Sequence, residues 1–465
     1  MARPTPRGVG IEPRAVPVLD RRPREPMEFE QSHRLVEEAR LVNAGGCVTI
    51  QGVRGPLPLK GGAPPALAER LTAWTTEDEL GQSLDLPVVY YVLNILRRYG
   101  LLQTRYQTAS DLLFTVSPAP GTTRGFQGGT VRLSRFAYLR QDQGAAKLES
   151  PLSSCRVTIH DPLLAAFVFE LCSSVSRELG AAERLFAGIL SSVGMLDSAD
   201  TSSVSLPVWE FHDLLFHGRT SPGFHPYPYG GTFRHKENRP AQPVVKSWPE
   251  TTDVLPLASP SDNLQSKLQT PFVEVLNRRQ SVREPGTRSI NVCEIGAFLH
   301  ESARLKRVLD NPGYHCAASL RPYPSGGALH SLEVYFLAHR CEGLKKGVYH
   351  YDPQAHAVRP LAVSPEDLAG LLAVCPFPDT GWGLPDVTFY ISSRFERTAW
   401  KYESIAYRLV QQDLGCLYQT MYLVATALDL APCALGVTQC ALLAKVLGID
   451  PHSEPFVGAF TLSAR

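Results

Sequence analysis

The stretch Arg394-Phe-Glu-Arg-Thr-Ala-Trp-Lys401-Tyr402-Glu403, continued to Leu428, decides how the rest of the chain is read. Within it Val410, Leu414, Leu417, Met421, Val424 and Leu428 recur at steps of four, three, four, three and four. That is one stripe of an α-helix, and Arg408, Gln411, Gln412 and Asp413 fall off it. A helix over residues 404–428 is roughly 37 Å long at about 1.5 Å per residue. Surface helices usually have three or four turns, so this length suits a helix that crosses a domain centre or a subunit interface. A lysine and a phenol, Lys401 and Tyr402, stand side by side at its N-terminal end as a candidate acid/base pair.

The chain has 465 residues, enough for two or three domains. Apolar content of 44% and charged content of 20% are those of a soluble globular protein. Net charge is +1, which gives no strong field toward nucleic acid or anionic membrane. No apolar run reaches the length of a transmembrane helix. Arg3, Arg7, Arg14, Arg21, Arg22 and Arg24 lead into no apolar core, against a signal peptide, so residues 1–26 read as a disordered tail. Ten scattered cysteines without a C-x-x-C fit reduced thiols in a cytoplasmic protein. They offer no structural zinc site.

Residues 27–115 read as a small α+β module with the outline of a winged helix. Residues 47–51 alternate like a strand, and residues 64–74 and 88–99 are helical. Thr75 or Thr76 can cap a helix between them, with Glu79 as the capping-box partner. Its recognition segment, Asp85-Leu-Pro-Val-Val-Tyr-Tyr, is apolar, against what phosphate binding needs. Such modules also bind peptides by strand addition. After a Pro- and Gly-rich linker, residues 128–219 read as a second winged-helix-like unit. It has a strand over residues 130–140 and helices over residues 163–179 and 182–193. His212, Asp213 and His217 raise the question of a metal site, but an i, i+5 spacing does not put two imidazoles on one helical face. No metal is assigned. Residues 220–269, with five prolines by Pro243 and Gly230-Gly231, read as an extended connection that wraps a domain or lines a site.

Residues 270–465 carry the chemistry. Arg278-Arg279-Gln280-Ser281-Val-Arg283 packs three guanidiniums and a hydroxyl into six residues, suited to a phosphate. A solvated basic loop has the same composition. Arg321-Pro-Tyr-Pro324-Ser325-Gly326-Gly327 is a turn that lets backbone approach a flat ligand. Residues 333–338 alternate as a strand, and residues 343–352 read as a hairpin.

These pieces, together with Tyr407-Arg408, residues 431–436 and the Leu-Gly-Ile-Asp450 to Glu454 tail, resemble the nitroreductase-like flavoproteins. Within them the chain is most similar to SagB-type dehydrogenases, the thiazoline/oxazoline dehydrogenases of azole-modified peptide biosynthesis. Residues 128–245 also look like the peptide-handling region of longer members. The resemblance implies an α+β fold with an antiparallel sheet flanked by helices; the long central helix and the two small winged-helix-like modules before it are the reading of the sequence itself. It implies a homodimer with FMN at the interface. Arg279, Ser281 and Arg283 would take the phosphate and ribityl chain. Gln280 sits where many members have another basic residue. Pro324, Ser325, Gly326 and Gly327 would lie against the isoalloxazine, with Leu435 and Gly436 on the opposite wall. Lys401 and Tyr402 match the catalytic pair.

The implied reaction takes a proton and a hydride from an azoline in a precursor peptide, passes the hydride to flavin N5, and sends the electrons on to oxygen. Which of Lys401 and Tyr402 accepts the proton stays open. Arg394, Arg397 and Arg408 are candidates for nearby positive charge. The N-terminal modules would hold the peptide or a partner cyclodehydratase. A nicotinamide-dependent nitro or quinone reductase is the second enzyme reading. A flavin-free scaffold of a maturation complex is the third.

Overall fold

The computed structural model describes residues 28–37, 39–44, 47–52, 55–56, 64–82, 84–120, 128–197, 206–225, 227–249, 253–309, 315–374, 383–436 and 439–465. The expected tail of residues 1–26 lies outside them. The chain divides into two compact units, one of residues 1–218 and 223–226, the other of residues 219–222 and 227–465.

The first unit is built on a seven-stranded antiparallel sheet. In spatial order its strands are Thr75–Thr76, Glu30–Leu35, Leu102–Gln107, Leu112–Ser117, Arg156–Ile159, Ala145–Glu149 and Tyr138–Asp142. The stretches read as two modules share this sheet, because Arg156–Ile159 pairs with Leu112–Ser117. Thr76 caps the helix Glu77–Gly81 in a capping box with Glu79, two donors satisfied reciprocally. Helix Leu86–Arg98 buries Val89, Val92, Leu93 and Leu96 and exposes Leu86, Tyr90 and Tyr91.

Two sequence expectations fail here. Residues 130–140 form no eleven-residue strand. Val131 and Leu133 make isolated bridges to Val175 and Leu196, and a turn from Ser134 to Ala137 breaks the run. Only its last three residues lie in a ladder, as the start of Tyr138–Asp142 paired with Ala145–Glu149. The helix expected over residues 163–179 stops early, as Pro162–Glu170. Beyond it Val175 exchanges both backbone bonds with Val131, which takes that segment out of the helix.

The second unit also has a seven-stranded antiparallel sheet, ordered Leu255–Pro256, Ala357–Pro360, Gly347–Asp352, Leu332–Ala338, Val387–Ser393, Phe456–Ala464 and Leu430–Leu435. The hairpin expected over residues 343–352 pairs differently. Gly347–Asp352 lies against Leu332–Ala338, and Cys341–Glu342 pairs in parallel with Ile290–Asn291.

Against this sheet lies the central helix, Ala406–Ala427. Its stripe Val410, Leu414, Leu417 and Met421 is buried in one core with Phe298, Phe336, Phe389 and Phe460. That packing holds a helix of this length at the centre of the unit. Among the described residues no helix is long and apolar enough to cross a membrane.

Because Leu417 is wholly buried in that core, Leu417→Ala should cost about 2–5 kcal/mol of stability. Urea unfolding measures it, and a loss below about 1 kcal/mol contradicts the central role assigned to the helix.

Candidate functional site

Lys401 and Tyr402 lie between the short helix Phe395–Ala399 and the central helix. Lys401 is only 8% exposed, so its ammonium is largely removed from bulk water. The Pro324-Ser-Gly-Gly327 turn meets this pair. A β-carbon at Gly327 would come 2.5 Å from Tyr402 Oη and 2.9 Å from Lys401 Nζ. Gly327 also has φ of 62°, a conformation that glycine adopts most readily. Both the contact and the backbone therefore favour a residue without a side chain, since a β-carbon would push the Lys401 and Tyr402 tips aside.

The turn is fixed from below by Asp413, buried on the central helix. Its carboxylate accepts from Ser325 Oγ at 2.5 Å and from the Gly326 N–H at 2.9 Å. Burial pushes the Asp413 carboxyl up, and these two bonds oppose it. Ser325 Oγ in turn accepts from the His330 N–H at 2.9 Å. The His330 ring is buried, which lowers it to about 4 and keeps it neutral. Its Nε2 lies 3.0 Å from the Tyr323 carbonyl, and its Nδ1 lies 3.0 Å from Ser319 Oγ and 3.3 Å from the Ala328 carbonyl.

A second group of residues forms elsewhere on the same helix. The loop after helix Phe272–Arg278 is bonded to strand Leu430–Leu435 through Val282 N–H and the Pro432 carbonyl, 2.8 Å. Ser281 Oγ lies 2.8 Å from Tyr422 Oη, which accepts from the Ala434 N–H at 2.7 Å. The Arg279 guanidinium stands 5.3 Å from the Tyr422 ring centroid. Arg283 is close enough to act on the Cys433 thiol, which burial raises and Arg283 pulls down. Gln280 is exposed on this loop, and Leu435 and Gly436 end the neighbouring strand. Arg278 is turned away, paired with Asp429 and Glu274.

The structure thus joins residues 324–327 to residues 401–402, and residues 279–283 to residues 432–434. The two groups stay apart within one chain. Asp413 and Tyr422 are nine residues apart, two and a half turns at about 3.6 residues per turn. They face opposite sides of the helix, about 13 Å apart along its axis.

The three arginines expected near the pair serve as ties. Arg394 bonds Glu333 at 2.7 Å and the carbonyls of Pro243 and Val244 at 2.7 and 2.9 Å. Arg397 donates to the carbonyls of Leu329, Gln242 and Ala317. Burial lowers it to about 10, so it remains charged at neutral pH. Arg408 donates to Thr220 O and Ser221 Oγ, both at 3.1 Å.

What Arg394 and Arg397 hold is a strap, residues 227–249, extended across the Lys401-Tyr402 loop. Gly230 and Glu403 exchange backbone bonds of 3.1 and 2.9 Å, and the Phe233 N–H donates to the Lys401 carbonyl at 3.1 Å. Trp400 Nε1–H reaches the Arg239 carbonyl at 2.8 Å, and Ser404 Oγ the Pro228 carbonyl at 2.8 Å. The wrapping was legible in the prolines and glycines; its target was not. Asp413, Tyr422 and the strap contacts were missed altogether. The available signal for Asp413 was a carboxylate flanking an apolar stripe, which ordinarily marks a solvated face.

Residues 278–462 match the model of the nitroreductase family, and residues 131–226 that of the cyanobactin oxidase ThcOx. The chain carries a nitroreductase-family domain behind a ThcOx-type segment. It is 27% identical over 192 residues to the nitroreductase-like MJ1384 of Methanocaldococcus jannaschii, covering 40% of this chain and 91% of that protein. The trifolitoxin-processing protein TfxB of Rhizobium leguminosarum bv. trifolii is 30% identical over 142 residues, 30% of this chain and 38% of TfxB. The microcin B17-processing protein McbC of Escherichia coli is 31% identical over 138 residues, 29% of this chain and 50% of McbC. The matches thus span half or less of the two peptide-processing relatives. Among solved structures, the E. coli microcin synthetase McbBCD complex with truncated pro-MccB17 aligns over 58% of this chain and 99% of that chain, at 22% identity and a TM-score of 0.35.

Two outcomes follow from this geometry. Gly327→Ala should displace the Lys401 and Tyr402 tips and destabilise the protein by about 1–3 kcal/mol. Unchanged stability, with both side chains in place in a structure of the variant, contradicts the close approach. The second concerns Glu333. Burial alone raises its carboxyl, but Arg394 and His350 outweigh that and hold it at about 2. The folded value lies below the ordinary 4.5, so this stabilisation is complete above about pH 4.5 and is lost as pH falls through about 2. Glu333→Gln should cost about 3–5 kcal/mol at neutral pH and flatten unfolding free energy against pH in that window.

Proposed function

We propose that this protein is an FMN-dependent dehydrogenase that oxidises thiazoline and oxazoline rings of a ribosomally made peptide to thiazoles and oxazoles. The observation that carries this reading is the convergence of Lys401 Nζ and Tyr402 Oη on Gly327. A simple reductase has no need of an amine and a phenol at that place. TfxB and McbC, which bear the names of peptide-processing proteins, support the substrate class.

The residues present fit a flavin mononucleotide. Arg279, Ser281 and Arg283 supply two cationic groups and a hydroxyl for its phosphate and ribityl chain. Gly326 and Gly327 form a cradle that a β-carbon would fill: at Gly326 it would come 3.0 Å from Leu409. Pro324 and Ser325 belong to the same turn. Leu435 and Gly436, at the end of the strand that Val282 joins, would give the second wall. Bound flavin supplies a two-electron acceptor for hydride.

The chain's own residues do the rest. The turn sets where a flat ring can lie, because Asp413 fixes Ser325 and Gly326. Lys401 and Tyr402 stand at its edge to take the proton that leaves carbon, with the buried ammonium favouring phenolate at Tyr402. The strap closes the loop that carries them and limits water there.

A homodimer is part of the proposal. The two residue groups face opposite sides of the central helix, so a ligand spanning them is served most directly when a second copy supplies one of them. Phe272 and Val273, 64% and 66% exposed, offer apolar surface for that contact. The first unit is assigned the peptide or its cyclodehydratase partner. Its exposed Tyr90 and Tyr91 and its outer strands suit a peptide better than nucleic acid.

The test is incubation with a synthetic azoline peptide, read by mass spectrometry as loss of two hydrogens per ring. Lys401→Ala and Tyr402→Phe should keep the yellow flavin yet slow azole formation about tenfold or more. Full activity in either variant removes that residue from the mechanism, and a colourless wild-type protein overturns the reading.

A further inference from the structure

The strap lies between the two family-matched segments, which end at residue 226 and begin at residue 278. It nevertheless places a side chain on the proposed acid/base pair. Phe233 stands in the left-handed region, with φ of 54°. Asn or Gly adopts that conformation more readily than a bulky aromatic residue, so a phenylalanine there needs a reason of its own.

Its surroundings supply one. Lys401 Nζ lies 5.8 Å from the Phe233 ring centroid and 5.2 Å from that of Tyr402. The Phe233 ring meets Trp400 edge-on at 5.9 Å and His315 edge-on at 5.3 Å. A β-carbon at Gly231 would come 3.8 Å from Phe233 Cε2 and 4.0 Å from Tyr402 Cε1. The pair therefore sits between the Gly327 turn on one side and the strap on the other. The backbone bond from Phe233 to the Lys401 carbonyl locks the ring in this register.

We propose that Phe233 is a positioning residue that holds Lys401 as the charged ammonium, leaving the Tyr402 oxygen as the proton acceptor. The face of an aromatic ring within about 6 Å attracts a cation, and the attraction grows as water is removed. A neutral amine gains little from the same ring. Other charged or titratable groups around the pair are Glu403 and Arg234 of the strap contact, Glu396 and His315 beside the loop, and Asp413 behind the turn. The ring's polarity is the only electrostatic feature that Phe233→Leu removes. The division of roles rests on the proposed function, whereas the contact between ring and ammonium does not.

The experiment is trace acetylation of the full-length protein across pH, with modification of Lys401 read by mass spectrometry. Only the neutral amine reacts, so the rate profile gives the lysine's own titration. Phe233→Leu keeps bulk without a π face. It should move the Lys401 midpoint down by about half a pH unit or more, while Phe233→Tyr leaves it at the wild-type value. Phe233→Asn, which suits the left-handed backbone, keeps the strap folded and should shift the midpoint as the leucine variant does. With azoline peptide, the alkaline limb of the rate profile should fall by the same interval in the leucine and asparagine variants.

An unchanged midpoint in Phe233→Leu, or an equal shift in Phe233→Tyr, overturns the role of the ring. A shifted midpoint with an unmoved alkaline limb overturns the assignment of the cation role to Lys401. Failure of the wild-type protein to form azole counts against the proposed function alone, since the acetylation profile needs no turnover.

Discussion

A single buried carboxylate fixes the geometry on which the rest depends. Asp413 lies on the side of a core helix, where an unpaired charge is costly. Ser325 Oγ–H and Gly326 N–H both donate to it. The bonds offset its desolvation and fasten a glycine turn to the helix at a fixed height. Ser325 is itself held by the His330 N–H, and the neutral His330 ring by Ser319 and the Tyr323 carbonyl. Each member leaves its neighbour little freedom, so Gly327 meets Lys401 and Tyr402 in one position rather than a range. A site built this way is organised before any ligand arrives, which lowers the cost of binding one.

The arginines follow the same logic over a longer distance. A guanidinium has five donors in a rigid fork. Arg394 and Arg397 direct theirs to strap carbonyls at Gln242, Pro243 and Val244 as well as to Glu333, Leu329 and Ala317. The strap is short of regular structure and cannot satisfy those carbonyls itself. Two buried cations therefore hold an irregular segment against the Lys401-Tyr402 loop. Their charge is committed to that task, so Lys401 must find its own electrostatic partners nearby.

The legibility of the sequence tracks the range of the interactions. The central helix was readable because its apolar spacing is local and repeats for six positions, and Val410, Leu414, Leu417 and Met421 are buried as that spacing requires. The capping box at Thr76 and Glu79 was readable because both halves lie within four residues. The Pro-Ser-Gly-Gly turn was recognisable by composition, whereas its contact with Lys401 and Tyr402 joins residues more than seventy positions apart. Asp413 was invisible because its partners lie 88 and 87 residues away. Residues 130–140 misled in part: residues 138–140 do open the strand Tyr138–Asp142, whereas Val131 and Leu133 make only isolated bridges and a turn at Ser134–Ala137 interrupts the run. Arg394 and Arg397 were read as charge when their role is directional bonding, a distinction carried by acceptors on a distant segment.

The central helix keeps the two residue groups apart, and that separation bears on the proposed chemistry. Residues 279–283 hang from Tyr422 on one side, and residues 325–327 from Asp413 on the other. A ligand bound by both must reach around the helix or bridge two copies of it. Bridging is the economical solution, since the outer face of this helix exposes Gln412, Gly415 and Gln419, and no described residue of the same chain covers them. Under the proposed function, cofactor binding and association of the copies then belong to one linked equilibrium. Each stabilises the other by mass action, because neither half of the cradle is complete alone. The strap acts within this arrangement on the catalytic pole only, where Phe233 and Glu403 fix the loop whichever copy supplies the phosphate pole. On that proposal, proton handling is confined to one chain while cofactor retention is shared between two.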